Sequence, residues 1–177
     1  WGIGDFGDLR LVGEQAAKLG AGVIALTPLH AASLSPYSPS SRHALNPLYI
    51  ELDAPGPKKL RDTELVDYPA VRKAKYAAFE KLYPGTEVRL STNFAIFEAL
   101  REELGDDWRR WPEEYRSPAA PAGKRFAAKH ERRVNFHAWL QALARKQLDA
   151  VQARALKLGM PVGLYVDLAL GADRGGA

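Results

Sequence analysis

Apolar positions along the chain follow two patterns in turn. Leu9, Val12, Ala16 and Leu19 recur in steps of three and four, with Asp8 ahead as a cap and Gly20 behind as a stop, so the spacing predicts a helix over 8–19. Val23, Ile24, Ala25, Leu26 and Leu29 then crowd together without alternation, the pattern of a strand buried on both faces in a parallel sheet. Serine and proline dominate residues 31–42, and Pro36 and Pro39 forbid a regular helix or ladder, which makes this a long loop behind a buried strand. Residues 48–52 read as a short returning strand, and Pro55-Gly56-Pro57 breaks the chain after it.

Helical periodicity returns and persists for about a hundred residues. One helix is expected over 69–82 with Asp67 as its cap. A second is expected over 93–104, with Phe94, Phe97 and Leu100 on one face and Gly105 as its stop. The third is long, over 124–158. Its stripe is Leu140, Ala144, Leu148, Val151, Ala155 and Leu158, widened by Trp139 and Leu143, and Gly159 with Met160-Pro161 ends it. Trp108, Trp111 and Tyr115 fall in the irregular link before it. Residues 162–170 form a second continuous apolar run, a second buried strand.

The order is therefore helix, buried strand, long helical insertion, buried strand. That order suits an α/β fold, and an insertion of this size is normal in one βα loop of a large (β/α) barrel. Two or three strands cannot close such a barrel. The chain has 177 residues, opens on Trp1 and stops at Gly175-Gly176-Ala177 just after an apolar run, so the expectation is a fragment of a longer chain.

Composition narrows the function classes. A hydrophobic share of 46% and a charged share of 26% are ordinary for a globular protein. The net charge of +4 comes from basic residues interleaved with acids, as in His130-Glu131-Arg132-Arg133, which reads as a solvated helix face and not a nucleic-acid surface. With no cysteine there is neither a disulfide framework nor a thiolate site. No run is long enough to span a bilayer, and no membrane partner is expected.

Three groups of residues carry candidate chemistry. The loop Ser35-Pro36-Tyr37-Ser38-Pro39-Ser40-Ser41-Arg42 offers hydroxyls, a stiff backbone and one aromatic ring behind a strand, where parallel folds bind ligands. A sugar suits that set, and a plain surface loop is the alternative. Asp173 reads as a ligand contact and Asp167, inside the apolar run, as a satisfied structural carboxylate, unless both pair locally with Arg174 or a backbone amide. His30, at the end of the first strand, is structural or catalytic. His130 and His137 stand seven apart, two helical turns, which does not make a metal pair. Gly2, Gly4 and Gly7 miss the dinucleotide spacing G-x-G-x-x-G by one residue.

These blocks resemble a known family. Trp1-Gly2-Ile3-Gly4-Asp5-Phe6-Gly7-Asp8-Leu9, Pro28-Leu29-His30-Ala31, Ser35 to Arg42, Asn46-Pro47-Leu48-Tyr49-Ile50, Met160 to Ala169 and Gly175-Gly176-Ala177 look, in order, like the 4-alpha-glucanotransferases of the amylomaltase type. The resemblance implies a (β/α)8 barrel of which this chain would supply about strands 2 and 3 (residues 1–54 and 160–177) with a mostly helical subdomain over 55–159. It implies a cytoplasmic, cofactor-free and metal-free retaining enzyme that passes an α-1,4-glucan segment to the 4-hydroxyl of another glucan or of glucose through two carboxylates. Those carboxylates and a third lie in motifs resembling Arg-Ile-Asp-His, Gly-Glu-Asp-Leu-Gly and Thr-His-Asp, and none of the three occurs in the sequence. What carries over is substrate contact: Tyr37 at the donor-side sugars, Asp173 on glucose hydroxyls, Ser35, Arg42 and Asn46 shaping the loop, and His30 close by. The rival reading is a stand-alone, non-catalytic carbohydrate-binding or helical interaction module.

Overall fold

A computed structural model describes residues 1–32, 35–85 and 93–177. The chain forms two compact units, each gathered from three stretches: Trp1–Leu29, Leu45–Leu82 and Leu143–Leu168 make the first, and His30–Ala44, Tyr83–Ala142 and Ala169–Ala177 the second. It is a mixed helical and sheet structure with few strands.

In the first unit, helix α1 (Phe6–Lys18) is capped by Asp5 and not by Asp8. The Asp5 carboxylate accepts from the Gly7 and Asp8 amides, while the Asp8 carboxylate reaches back to the Asp5 amide, so the two form a reciprocal capping box. An aspartate at either position scores as a cap from sequence; the glycines ahead let the helix start three residues earlier. Gly13 of α1 lies 3.4 Å, by an added Cβ, from Ile24 of strand β1 (Val23–Ala25). β1 pairs in parallel with a later strand, Gly163–Tyr165, with Val23 opposite Gly163 and Ala25 opposite Tyr165.

The expectation that both strands are buried on two faces fails. Val23, Val162, Tyr165, Val166 and Leu168 are exposed, and so are Val12 and Leu19 of the α1 stripe. Among the described residues this sheet has only two strands. Asp167 is likewise exposed and not the buried carboxylate expected from its apolar neighbours, because regular strand geometry stops at Tyr165.

Helix α2 (Lys58–Arg61) is a single turn, and α3 (Tyr68–Leu82) is capped by Asp67, whose carboxylate accepts from the Ala70 amide at 3.0 Å. Residues 48–52 are not a strand. Pro47–Tyr49 is a 3-10 turn, started by the Asn46 side chain accepting from the Leu48 amide at 3.1 Å.

In the second unit, β2 (His30–Ala31) pairs with β3 (Ser41–Leu45). Helix α4 (Asn93–Leu104) ends at Gly105, whose φ of +94° suits a residue without a side chain. Ala95, Ile96, Phe97, Ala99 and Leu100 form a core with Trp111, Val134 and Ala138. The Trp111 indole donates to the Gly105 carbonyl at 2.8 Å, which satisfies its one polar atom inside that core. The long third helix is two: α5 (Pro121–Lys129) and α6 (Glu131–Lys157). His130 leaves helical geometry at the junction, stacked on Phe126 with ring centroids 4.1 Å apart. The stacked pair holds the chain in a turn at a single residue, too small a break to disturb the apolar periodicity. Leu140, Ala144, Leu148, Val151 and Ala155 of the stripe are buried as expected. The last strand of the chain is β4 (Gly163–Tyr165).

Candidate functional site

The site is built from two loops of the second unit, residues 35–43 and 169–177. A turn opens the first: the Ser38 amide donates to the Ser35 carbonyl at 3.2 Å and the Tyr37 amide to the Ser35 hydroxyl at 3.3 Å. Two prolines and no donor of their own leave Tyr37 at the tip, with 57% of its surface exposed. The loop then dives: Pro39 is fully buried, and both the Ser40 amide and hydroxyl donate to the Ala31 carbonyl, at 2.7 and 3.0 Å.

The second loop lies directly on the first. The Asp173 amide donates to the Pro39 carbonyl at 2.9 Å. A Cβ added to Gly171 would stand 2.5 Å from the Tyr37 carbonyl oxygen, and one on Gly176 would collide with the Ser40 backbone. Only glycine permits this approach. Beyond it the loop folds on itself: the Gly175 amide donates to one Asp173 carboxylate oxygen at 2.9 Å and the Gly176 amide to the Asp173 carbonyl at 3.1 Å. Asp173 is thus oriented and exposed. Of the two local partners considered, Arg174 or a backbone amide, the structure shows a backbone amide, that of Gly175.

The turn that follows α4 adds a third wall. Asp107 caps the 3-10 turn Trp108–Arg110 and grips the Arg109 guanidinium with both oxygens, at 2.7 and 2.8 Å. The Arg109 hydrogen bonds hold the Asp107 carboxyl below the usual range; Asp107, and then Asp173, raise Arg109 in return. Gly175 sits against this corner, 3.6 Å by an added Cβ from the Asp106 carbonyl oxygen. Neither Asp107 nor Arg109 stood out in the sequence, where a D-W-R-R stretch looks like any charged surface turn.

The structure therefore brings together Tyr37, Ser35 and Asp173, with Arg42 exposed on β3 and His30 half-buried on β2. Asn46 belongs to the other unit. It is 3% exposed, and its carboxamide accepts from the Leu48 amide. Its place is scaffolding of the segment that follows the loop.

That segment also rests on two residues the sequence reading missed. Lys75 of α3 is fully buried, donating from Nζ to the Leu48 and Ile50 carbonyls at 2.6 and 2.8 Å, with the Asp5 carboxylate 3.9 Å away. Burial lowers its pKa to about 8, against the opposing pull of Asp5 and Asp8. A lysine between Val71 and Phe79 on a buried stripe was the available signal. Gln147 of α6 accepts from the Glu51 amide at 2.7 Å and donates to its carbonyl at 3.1 Å.

Among the described residues no group of three His, Cys, Asp or Glu side chains gathers to hold a metal, and no helix is long and apolar enough to cross a membrane.

A parallel strand pair and helices in one unit, and a proline-stiffened loop against a glycine-rich turn in the other, describe a mixed α/β chain with a candidate ligand site built from loops. The chain belongs to the 4-alpha-glucanotransferase family, whose model matches residues 1–177. It is similar to the 4-alpha-glucanotransferase of Mycobacterium tuberculosis strain H37Rv, 35% identical over 223 positions covering 100% of this chain and 31% of that protein. The Haemophilus influenzae enzyme of the same name is 31% identical, over 100% of this chain and 33% of its own length. Among solved structures it resembles amylomaltase from Corynebacterium glutamicum, at 28% identity and a TM-score of 0.65 over 99% of this chain and 29% of that one. The fold also matches amylomaltase from Streptococcus agalactiae in complex with acarbose, at a TM-score of 0.78 and 20% identity over 99% of this chain and 41% of that one. The chain spans about a third of the length of the curated relatives it matches.

Proposed function

We propose that this chain is the substrate-loop portion of a cytoplasmic 4-alpha-glucanotransferase that moves α-1,4-glucan segments by a retaining double displacement. In this reading residues 1–54 and 160–177 are barrel segments around strands 2 and 3, and 55–159 is their inserted subdomain. Tyr37 offers its ring to a donor-side glucosyl unit and Asp173 accepts from its hydroxyls, with Ser35, Arg42 and His30 around them. One observation carries the reading: the Asp173 amide bonds to the Pro39 carbonyl, so an exposed aromatic and an oriented carboxylate stand on one stacked pair of loops. Ring and carboxylate together suit a sugar, whose C–H face packs on the one while its hydroxyls donate to the other. The exposed apolar residues of β1 and β4 fit a sheet that continues on further strands.

Orientation of sugars is not bond cleavage. Retaining transfer needs two carboxylates about 5 Å apart across the scissile bond, and the family motifs that would carry them do not occur in the sequence. The 177 residues alone are therefore expected to be inactive. Incubation of the purified chain with maltotriose should release no more glucose than a heat-killed control; clear release would overturn the division of labour between these loops and catalysts elsewhere.

A further inference from the structure

Where α4, the 3-10 turn Glu113–Tyr115 and α5 come together, the second unit has a concavity of about 300 Å³ that shares no lining residue with the two loops. Its make-up follows from the end of α5. Arg125, Phe126, Lys129 and His130 stand three and four apart, so they gather on one face of that helix and of the junction behind it. That face carries two cations and two rings side by side. Phe126 is the hub: His130 stacks on it with centroids 4.1 Å apart, and the Tyr115 ring meets it edge-on at 6.2 Å. The end of α4 completes the lining with Leu104, which is apolar, and Glu103, which is acidic.

The rings alone would be a packing cluster. What sets the place apart is that its charged groups are unspent. Arg125 reaches Glu114 only at 3.8 Å, with both side chains mostly exposed, and a loose surface pair of this kind is worth little. Among the described residues no ion pair engages Lys129 or Glu103. Three kinds of group thus surround one small space, and together they match the three parts of a nucleotide. Aromatic rings stack on a base. A carboxylate accepts from the hydroxyls of a ribose. A guanidinium and an ammonium pair with a phosphate. A neutral glucan would leave both cations unused, and a bare phosphate would leave the rings unused and meet Glu103 as a like charge. A space of about 300 Å³ is at the small end of ligand clefts, which suits one base with its sugar and not a dinucleotide.

We propose that this concavity binds a nucleoside monophosphate, with the base against Tyr115 and His130, the ribose hydroxyls on Glu103 and the phosphate on Arg125 and Lys129. The proposal does not rest on the glucan reading. A ligand held this way joins α4 to α5 beside the break at His130, so it braces the helical part of the second unit at its one-residue junction.

The test is titration of the 177-residue chain with adenosine 5′-monophosphate at constant ionic strength, followed by imidazole and amide NMR resonances. Saturable shifts of the His130 imidazole and of the Phe126 and Lys129 amides are expected, with residues 35–38 and 171–173 unmoved. Lys129→Glu, at an exposed position, should weaken binding of the monophosphate by roughly five- to tenfold and leave the weaker binding of adenosine as it is. Glu103→Gln, also exposed, should weaken both ligands by about threefold. Inorganic phosphate that reproduces the same shifts, with adenosine giving none, would overturn the nucleotide and leave an anion site. Equal affinity of the unaltered chain and Lys129→Glu for the monophosphate would overturn the phosphate contact, and with it the proposal. An absence of saturable shifts at His130 below about 10 mM ligand would overturn it outright.

Discussion

Two stretches on either side of β3 look alike in sequence and behave oppositely in the structure. Residues 35–40 and 46–51 are both proline-bearing, polar-apolar mixtures without periodicity. The second is fastened by side chains from three directions: Asn46 holds the Leu48 amide, Lys75 the Leu48 and Ile50 carbonyls, Gln147 both backbone groups of Glu51. The first is held mainly by backbone bonds from its own turn, from Ala31 and from Asp173, helped by its own Ser35 and Ser40 hydroxyls, with glycines pressed against it. Leu48 and Ile50 are buried, whereas Tyr37 is open to solvent. Side-chain fastening produces scaffold; backbone fastening leaves the side chains free for a ligand. Gln152 repeats the scaffold device, donating to the Val162 carbonyl and accepting from the Leu164 amide on the edge of β4. Two glutamines of α6 thus satisfy backbone groups by donating and accepting at once.

Breaking the scaffold side should cost most. Lys75→Met keeps the volume of the stem but leaves two buried carbonyls unpaired, each worth about 1–3 kcal/mol. The expected loss is roughly 2–4 kcal/mol, read as a lower midpoint in urea unfolding of the chain. A loss under about 0.5 kcal/mol would mean that water or a backbone shift satisfies Leu48 and Ile50, and the contrast between the stretches would dissolve.

Forcing the two loops apart should come next. Gly171→Ala drives a methyl into the Tyr37 carbonyl, and a crowded close approach of this kind costs roughly 1–3 kcal/mol. Its sharper signature is local: the Tyr37, Pro39 and Asp173 neighbourhoods should shift in NMR spectra while residues 46–51 stay in place. Shifts that spread equally to 46–51 would refute the separation of the two fastenings.

A pH titration separates them without mutation. Lys75 titrates near 8 in the folded chain and near 10.5 when unfolded. Between those values the unfolded state holds the extra proton, so this group raises stability as pH climbs from about 8 to 10.5, and the gain is lost as pH falls back through 8. In the second unit the sign at low pH is set by Glu102. Burial pushes its carboxyl up, but hydrogen bonds from Arg133 and His137 outweigh that and hold it at about 2. Stability from Glu102 is present above 4.5 and drains as pH drops toward 2. Unfolding midpoints across both windows check the pair, with Lys75→Met erasing the alkaline rise and Glu102→Gln flattening the acid fall.

Much of this contrast was hidden from the sequence for a physical reason. Periodicity gives the three large helical regions and the α6 stripe because burial repeats with the helix turn. It placed β1 and β4 but gave them two buried faces, since an apolar run reports what a strand can cover and not what is there to cover it. The single-residue break at His130 and the 3-10 turn at Pro47–Tyr49 are local hydrogen-bond choices without a period. For the candidate site, Tyr37 and Asp173 can be nominated from sequence because a loop behind a strand and a polar residue at its end are positional signals. The Asn46 carboxamide starts the next turn, a local hydrogen-bond choice that no pattern in the sequence marks. Lys75, Gln147 and the Asp107–Arg109 grip act on partners up to 96 residues away or on one charged neighbour among many, and no local pattern marks them.

The smallest expected effect on stability is the most informative about function. Tyr37 is exposed, and its backbone is fastened to Ser35 and under Gly171. Tyr37→Ala should therefore change unfolding free energy by no more than about 0.5 kcal/mol, far below Lys75→Met. In a full-length enzyme carrying this segment the same change should lower kcat/KM for maltotriose by roughly tenfold, about 1.4 kcal/mol of lost transition-state binding. A side chain that scarcely matters for folding and matters tenfold for turnover belongs to the ligand. If stability and kcat/KM fell together, Tyr37 would join Asn46 as scaffold, and the donor-side role would pass to Asp173 alone.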